Sequence, residues 1–220
     1  MPTILGYDPG GNGAHGVATV EVENGQIVAF TTATVATSEK AIRWLIEGRE
    51  HNPPMGLGID TLTVWSTGPS GWRPADRLLR GTYPAVVNSV AASNSLFGSM
   101  PINGMAVACV LRNQWRDLSI SETHPKVMYY ALTGKKYQDV ALADRWAAVL
   151  GQMGLPTTGH LGGADHELDA VLSGYAAFLG LTGQWAADLH TLPTAPGERL
   201  VTPCGHTHYW WANMPSDPRD

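Results

Sequence analysis

The sequence predicts an α/β fold: a mixed five-stranded sheet, its first three strands antiparallel, flanked by helices and carrying an insertion after the fourth strand. Three observations predict it. The chain opens on three runs rich in β-branched residues, divided by a Gly-rich turn and an Asn-Gly pair. Later strand-like segments are short, end in an acid and alternate with stretches of helical period. A length of 220 residues with 44% hydrophobic content suits one decorated domain with a real core.

Ile4 to Asp8 reads as a buried strand that runs into Asp8-Pro9-Gly10-Gly11-Asn12-Gly13, a turn needing the positive φ angles that glycine allows. Gly16 to Val22 resumes as strand, and Asn24-Gly25 marks a tight hairpin into Ile27 to Val35. Thr37 or Ser38 can cap a helix to about Glu50, with Ala41, Ile42, Leu45 and Ile46 as its apolar stripe. Asn52-Pro53-Pro54 stops that helix, and Met55 to Asp60 is a fourth short strand. Residues 61–116 read as the insertion, with short helices at Pro74 to Arg80 and Asn103 to Trp115. Leu118 to Glu122 is the fifth strand, followed by helices at Val127 to Leu132 and Asp139 to Leu150. Asp165 to Leu181 is the clearest helix, with Leu168, Val171, Leu172, Tyr175 and Leu179 on one face. A strand near Arg199 to Thr202 closes a domain of residues 1–203, and residues 204–220 form a C-terminal tail.

Charged residues make up only 15% and the net charge is −5, with no block of like charges. That balance argues against a basic face for high-affinity nucleic-acid binding, and it does not exclude an enzyme whose site is acidic because it holds metal. Two cysteines, Cys109 and Cys204, argue against a disulfide framework and leave a single bridge open. No segment has the length of a membrane span and the start lacks a signal-like apolar run, so no membrane partner and a cytoplasmic location are expected. The oligomeric state is open, a homodimer included.

The chemistry lies in the acids. Asp8, Asp60 and Glu122 each end a predicted strand, and Asp165, His166 and Asp169 open the clearest helix. Strands that end on the same edge of a mostly parallel sheet bring their last residues together, where ligands sit. Asp165 and Asp169, four apart, and His166 and Asp169, three apart, can share a helical face. Crowded carboxylates raise one another's pKa, a cost that a hard cation offsets. Two ions held this way stabilise both the attacking and the leaving oxygen of an in-line displacement.

Gly6-Tyr7-Asp8-Pro9-Gly10-Gly11, Gly58-Ile59-Asp60, Glu122-Thr123-His124-Pro125 and His166-Glu167-Leu168-Asp169-Ala170 occur in that order. Together they resemble the DUF429 family of predicted nucleases, as do Arg73 to Arg80 and Glu198 to Pro203. The same order is similar to RuvC-type Holliday junction resolvases, which share the RNase H-like fold. These resemblances imply an RNase H-like domain that hydrolyses phosphodiesters with Mg²⁺ or Mn²⁺, a two-ion site, and DNA or RNA as substrate. By the resolvase pattern Asp8, Asp60 and Asp169 are the matched ligands. His166 matches the remaining position and Asp165 competes for it, while Glu122 matches the DUF429 pattern alone. Arg73, Arg77 and Lys126 are candidates for substrate phosphate.

Other readings stand beside this one. Asp8 and Asp60 also suit turns, and Asp165 suits a helix N-terminus. Cys204, His206 and His208 can hold zinc if a distant residue such as Cys109 or His190 supplies a fourth ligand. Tyr209-Trp210-Trp211 can stack on bases, or cover an apolar patch or a partner surface. A noncatalytic interaction protein on the same fold is the alternative function. An actin-like phosphotransferase needs two related domains, for which the chain is too short.

Overall fold

In the computed structural model, residues 1–11, 13–92, 98–160 and 162–212 are described. The Asn12 of the Gly-rich turn and residues 213–220 of the expected tail lie outside them. β1 (Thr3–Asp8), β2 (His15–Glu23) and β3 (Gln26–Val35) form the expected antiparallel meander. Asn24 and Gly25 turn the hairpin with φ of 50° and 74°, the two positive angles that its tight turn demands. β4 (Gly56–Ile59) lies parallel to β1. After β5 (Trp65–Ser66) in the insertion, β6 (Ser119–Glu122) lies parallel to β4.

The sheet has six strands rather than the five expected. β7 (Gly159–His160) adds a two-residue parallel rung to β3, giving the order β6-β4-β1-β2-β3-β7. Two residues are too short for an alternation pattern, so that strand leaves no periodic trace in sequence. Gly159, at φ 115°, comes so close to Phe30 that a Cβ there would lie 1.9 Å from its carbonyl oxygen.

The helices lie on both faces of the sheet. α1 (Ser38–Ile46) is capped by Thr37, whose Oγ1 accepts from Lys40 N, a contact worth about 1 kcal/mol. The insertion supplies α2 (Pro74–Thr82) and α3 (Ser99–Gln114). α1 and α3 bury Ala41, Leu45, Val107, Ala108 and Leu111 against Leu5, Tyr7, Leu57, Ile59 and Ile120. The insertion therefore contributes Val107, Ala108, Leu111 and Trp115 to this half of the core rather than only decorating it.

On the opposite face lie α4 (Pro125–Thr133), α5 (Leu142–Gln152) and α6 (Asp165–Leu181). α6 buries Leu168, Val171 and Leu172 with Ile4, Ala18 and Val20. It runs unusually close to the strands. A Cβ on Gly6, Gly16 or Gly58 would stand 1.9, 1.9 and 1.8 Å from the carbonyl oxygens of Ala170, His166 and Ser173. These three positions need hydrogen as a side chain so that the helix backbone can seat.

After α6 the chain forms β8 (Ala187–Asp188), β9 (Leu200–Val201) and β10 (Trp210–Trp211), paired as β8–β10 and β5–β9. The described part of the tail is integral to the fold. His208 bridges Ser121, its carbonyl accepts from Glu122 N at 2.7 Å, and its N–H donates to Ile120 O at 2.8 Å. This covers the open edge of β6. Tyr209 and Trp211 are buried and Trp210 is partly buried against the same core, as the apolar-patch reading of the aromatic run expects. Among the described residues, no helix is long and apolar enough to cross a membrane.

Candidate functional site

Pleat alternation decides which acids meet. On β1, Ile4 and Gly6 face α6 while Leu5 and Tyr7 face α1 and α3, so Asp8 turns toward α6. On β4, Gly58 faces α6 and Ile59 faces away, and Asp60 follows Gly58. Tyr7 pairs with Ile59, and Asp60 N donates to Tyr7 O at 2.9 Å, so the two aspartates emerge side by side at one sheet end. From α6, Asp169 comes down onto the same rim. All three are nearly buried, Asp8 and Asp169 at 3% exposure and Asp60 at 9%.

Each carboxylate has a different set of partners. Asp8 Oδ2 lies 2.6 Å from Nδ1 of His166, whose ring is 42% exposed at the rim. Asp169 Oδ2 accepts from Lys126 Nζ at 3.0 Å, and its Oδ1 accepts from the Tyr137 hydroxyl. For Asp60 no side-chain donor reaches the carboxylate among the described residues. Burial, then the charges of Asp8 and Asp169, push the Asp60 carboxyl well above its ordinary range, with Lys126 opposing. Burial also raises Asp169, against the pull of Lys126. The hydrogen bond to Asp8 raises the His166 imidazole despite its partial burial. Burial works against charge on Lys126, yet Asp169, Asp60 and Asp8 hold its ammonium above the usual lysine range.

The cluster thus combines Asp8, Asp60, Asp169, His166 and Lys126 from the predicted set, and adds Tyr137, which sequence reasoning missed. Tyr137 comes from the 3₁₀ turn Tyr137–Asp139 just before α5 and carries no motif or period that could have singled it out. Lys126 sits among the acids as their internal counter-cation, ahead of any role with substrate phosphate.

The remaining predicted residues lie elsewhere. Asp165 is paired with Arg145 Nη1 at 2.5 Å and its side chain is 44% exposed, so it does not compete with His166 for the cluster. Glu122 pairs with Ile59, one position short of Asp60, so the pleat turns its carboxylate away from the other acids. Thr123 is the residue level with Asp60, and its hydroxyl meets Ser173 on α6 at 2.7 Å. Arg73 is a correction to its expected place on substrate phosphate: it is buried at 1% exposure and fully engaged. Its Nε and Nη2 donate to Asp76 at 2.9 and 2.6 Å, and its Nη1 donates to Glu122 Oε2 at 2.8 Å and to Val64 O at 3.0 Å. Thr63 N donates to the same Glu122 oxygen at 2.7 Å, and His190 Nε2 lies 3.3 Å from it. Arg77 is exposed and lines a separate cleft of 530 Å³ with Trp72, Thr194 and Glu198.

The donor chemistry of the rim suits a hard divalent cation: three nearly buried carboxylates, one of them without a side-chain donor among the described residues. The arrangement is not a finished metal centre. Among the described residues no three His, Cys, Asp or Glu side chains stand together as a metal-holding group, which applies equally to the zinc reading of Cys204, His206 and His208. Lys126 and Tyr137 take the Asp169 oxygens that a cation would need. Beside the rim opens a cleft of 320 Å³ lined by Asp60, Thr61, Asn88, Ser89, His124 and Lys126, among others. Its size is at the lower end of small-ligand pockets.

No family model matches the sequence, so the DUF429 resemblance rests on the motifs alone. No curated protein matches it either. Among solved structures, the Thermus thermophilus RuvC structure aligns over 82% of this chain and 96% of that one, at 12% identity and a TM-score of 0.45. At that level of similarity no residue role is carried from one protein to the other.

Proposed function

We propose that the rim of Asp8, Asp60 and Asp169 is the active site of a divalent-metal-dependent phosphodiester hydrolase with an RNase H-like fold. The observation that carries the reading is that three nearly buried carboxylates from two strand ends and one helix face one sheet rim, with no side-chain donor on Asp60 among the described residues. Packing like charges this way opposes folding and suits a site built for a counter-ion. Asp8, Asp60 and Asp169 would hold Mg²⁺ or Mn²⁺, with Lys126 released from Asp169 as metal enters. When bound, the ions stabilise the charge that develops on the phosphoryl oxygens and activate a water.

The chain's own groups do the rest. Asp8 fixes His166 through Nδ1 and raises its basicity, leaving Nε2 at the exposed rim to hold or release a proton. Lys126, once freed, presents its ammonium to the substrate phosphate. The cleft beside Asp60 takes the substrate, DNA or RNA being the class proposed.

The test is Mn²⁺ calorimetry joined to cleavage of single-stranded and duplex DNA and RNA, with Asp8→Asn and Asp60→Asn as controls. Saturable Mn²⁺ binding and metal-dependent cleavage, both lost in the variants, are expected. No binding at millimolar Mn²⁺, or equal cleavage by the variants, overturns the assignment. One observation favours a second reading, a noncatalytic interaction protein: Lys126 already supplies the acids with a cation. The same calorimetry separates the two.

A further inference from the structure

The two cysteines, 95 positions apart in sequence, lie on neighbouring segments on the face away from α6: Cys204 joins the apolar cluster of the helix that carries Cys109, and Cys109 shares a concavity with Pro203. Cys109 lies on α3 and is exposed, whereas Cys204 lies in the tail and is buried against Val107, Ala108 and Leu111. Several contacts hold the tail to this helix. Arg112, one turn beyond Cys109, donates Nη2 to His206 O at 2.9 Å. Gly205 turns at φ 80° and packs toward the same guanidinium. Cys109 and Pro203 line one shallow apolar concavity with Trp65 and Met105.

We propose that Cys109 and Cys204 form a thiol pair that a low-molecular-weight disulfide, such as oxidised glutathione, converts into an intrachain disulfide. The exposed Cys109 sulfur attacks the glutathione disulfide, forming a mixed disulfide and releasing one glutathione thiol. The Cys204 sulfur, having lost its proton, then attacks Cys109, forming the protein S–S bond and releasing the second glutathione thiol. Two protein thiols are oxidised, and one glutathione disulfide is reduced to two thiols. The order follows from access and reactivity, because Cys109 is exposed whereas Cys204 is buried. Burial, followed by the neighbouring Cys109, pushes the Cys204 thiol up to about 11, so it acts as the resolving sulfur and not as the first attacker.

The bond ties α3 to the strap that runs on through Thr207 and His208 along β6. It closes a long loop, the situation in which a cross-link restricts the unfolded chain most. The proposal is independent of the metal-site reading.

The experiment treats the reduced full-length protein with oxidised glutathione and follows it by intact mass, thiol titration after denaturation and peptide mapping. The expected product has lost two hydrogens, has no free thiol, yields a linked Cys109–Cys204 peptide, and melts at a higher temperature until dithiothreitol is added. Cys204→Ser should stop at one glutathione on Cys109, and Cys109→Ser should take up none. A persistent glutathione adduct on the wild-type protein, two thiols left unreacted, or only interchain dimers would each overturn the proposal.

Discussion

Arg73→Met removes the cation that neutralises Glu122 and Asp76 while keeping most of the apolar stem. The variant loses both hydrogen bonds to Asp76, at 2.9 and 2.6 Å, the 2.8 Å bond to Glu122 and the 3.0 Å bond to Val64 O. It leaves two carboxylates buried at 0% exposure. Breaking a buried ion pair from one side costs about 3–5 kcal/mol, whereas a surface arginine that contacts only solvent costs within about 0.5. For a chain of this size that corresponds to a fall of roughly 6–20 °C in melting temperature. The pH dependence gives a second readout. Burial alone would raise the Glu122 carboxyl, but Arg73 and His190 overcome it and hold the group far below the ordinary carboxylate range. A depressed carboxylate adds stability above its unfolded value of 4.5, and that stability is lost as pH falls toward the folded value. In Arg73→Met the contribution is gone, so the gap to wild type should be widest near neutrality and narrow below about pH 4.5. Urea denaturation at a series of pH values measures both. A variant within about 0.5 kcal/mol of wild type at pH 7 would refute the reasoning.

Three more changes probe the rim and its support. Asp60→Asn should stabilise the metal-free protein, because the raised Asp60 carboxyl makes the folded state lose stability as pH rises through and above the ordinary carboxylate range. Denaturation at pH 8 checks this, and a less stable variant would count against it. In the same protein Mn²⁺ should no longer protect, whereas wild type gains about 2.7 kcal/mol at a hundredfold excess over Kd. Gly58→Ala places a methyl 1.8 Å from Ser173 O and should cost at least about 1–3 kcal/mol, read by thermal melting. A neutral result would mean α6 can lift from the sheet. Asp165→Ala should change stability by no more than about 1 kcal/mol and leave Mn²⁺ affinity intact, since its half-exposed carboxylate pairs, among the described residues, only with Arg145. Lost Mn²⁺ binding would return Asp165 to the site.

What the sequence by itself determined is what neighbours along the chain decide. The meander, the Asn24-Gly25 hairpin with its two positive φ angles, a helix capped at Thr37 or Ser38 and the span Asp165–Leu181 all follow from local period and turn chemistry, and the structure picks Thr37 as the cap. Asp8 and Asp60 could be paired in advance because each ends a strand of the same pattern. Glu122 ends a strand too, yet only the register of β6 against β4 shows that its carboxylate belongs one level lower. Arg73 looked like a helix-face cation until the buried carboxylates of Asp76 and Glu122 gave it a place inside. Tyr137 and the two-residue β7 carry no pattern at all. Register, the sign of charge at a buried position and the close approach of α6 over three glycines are set by residues far apart in sequence. Their energies exist only once the chain has closed on itself, and only the tertiary structure could decide them.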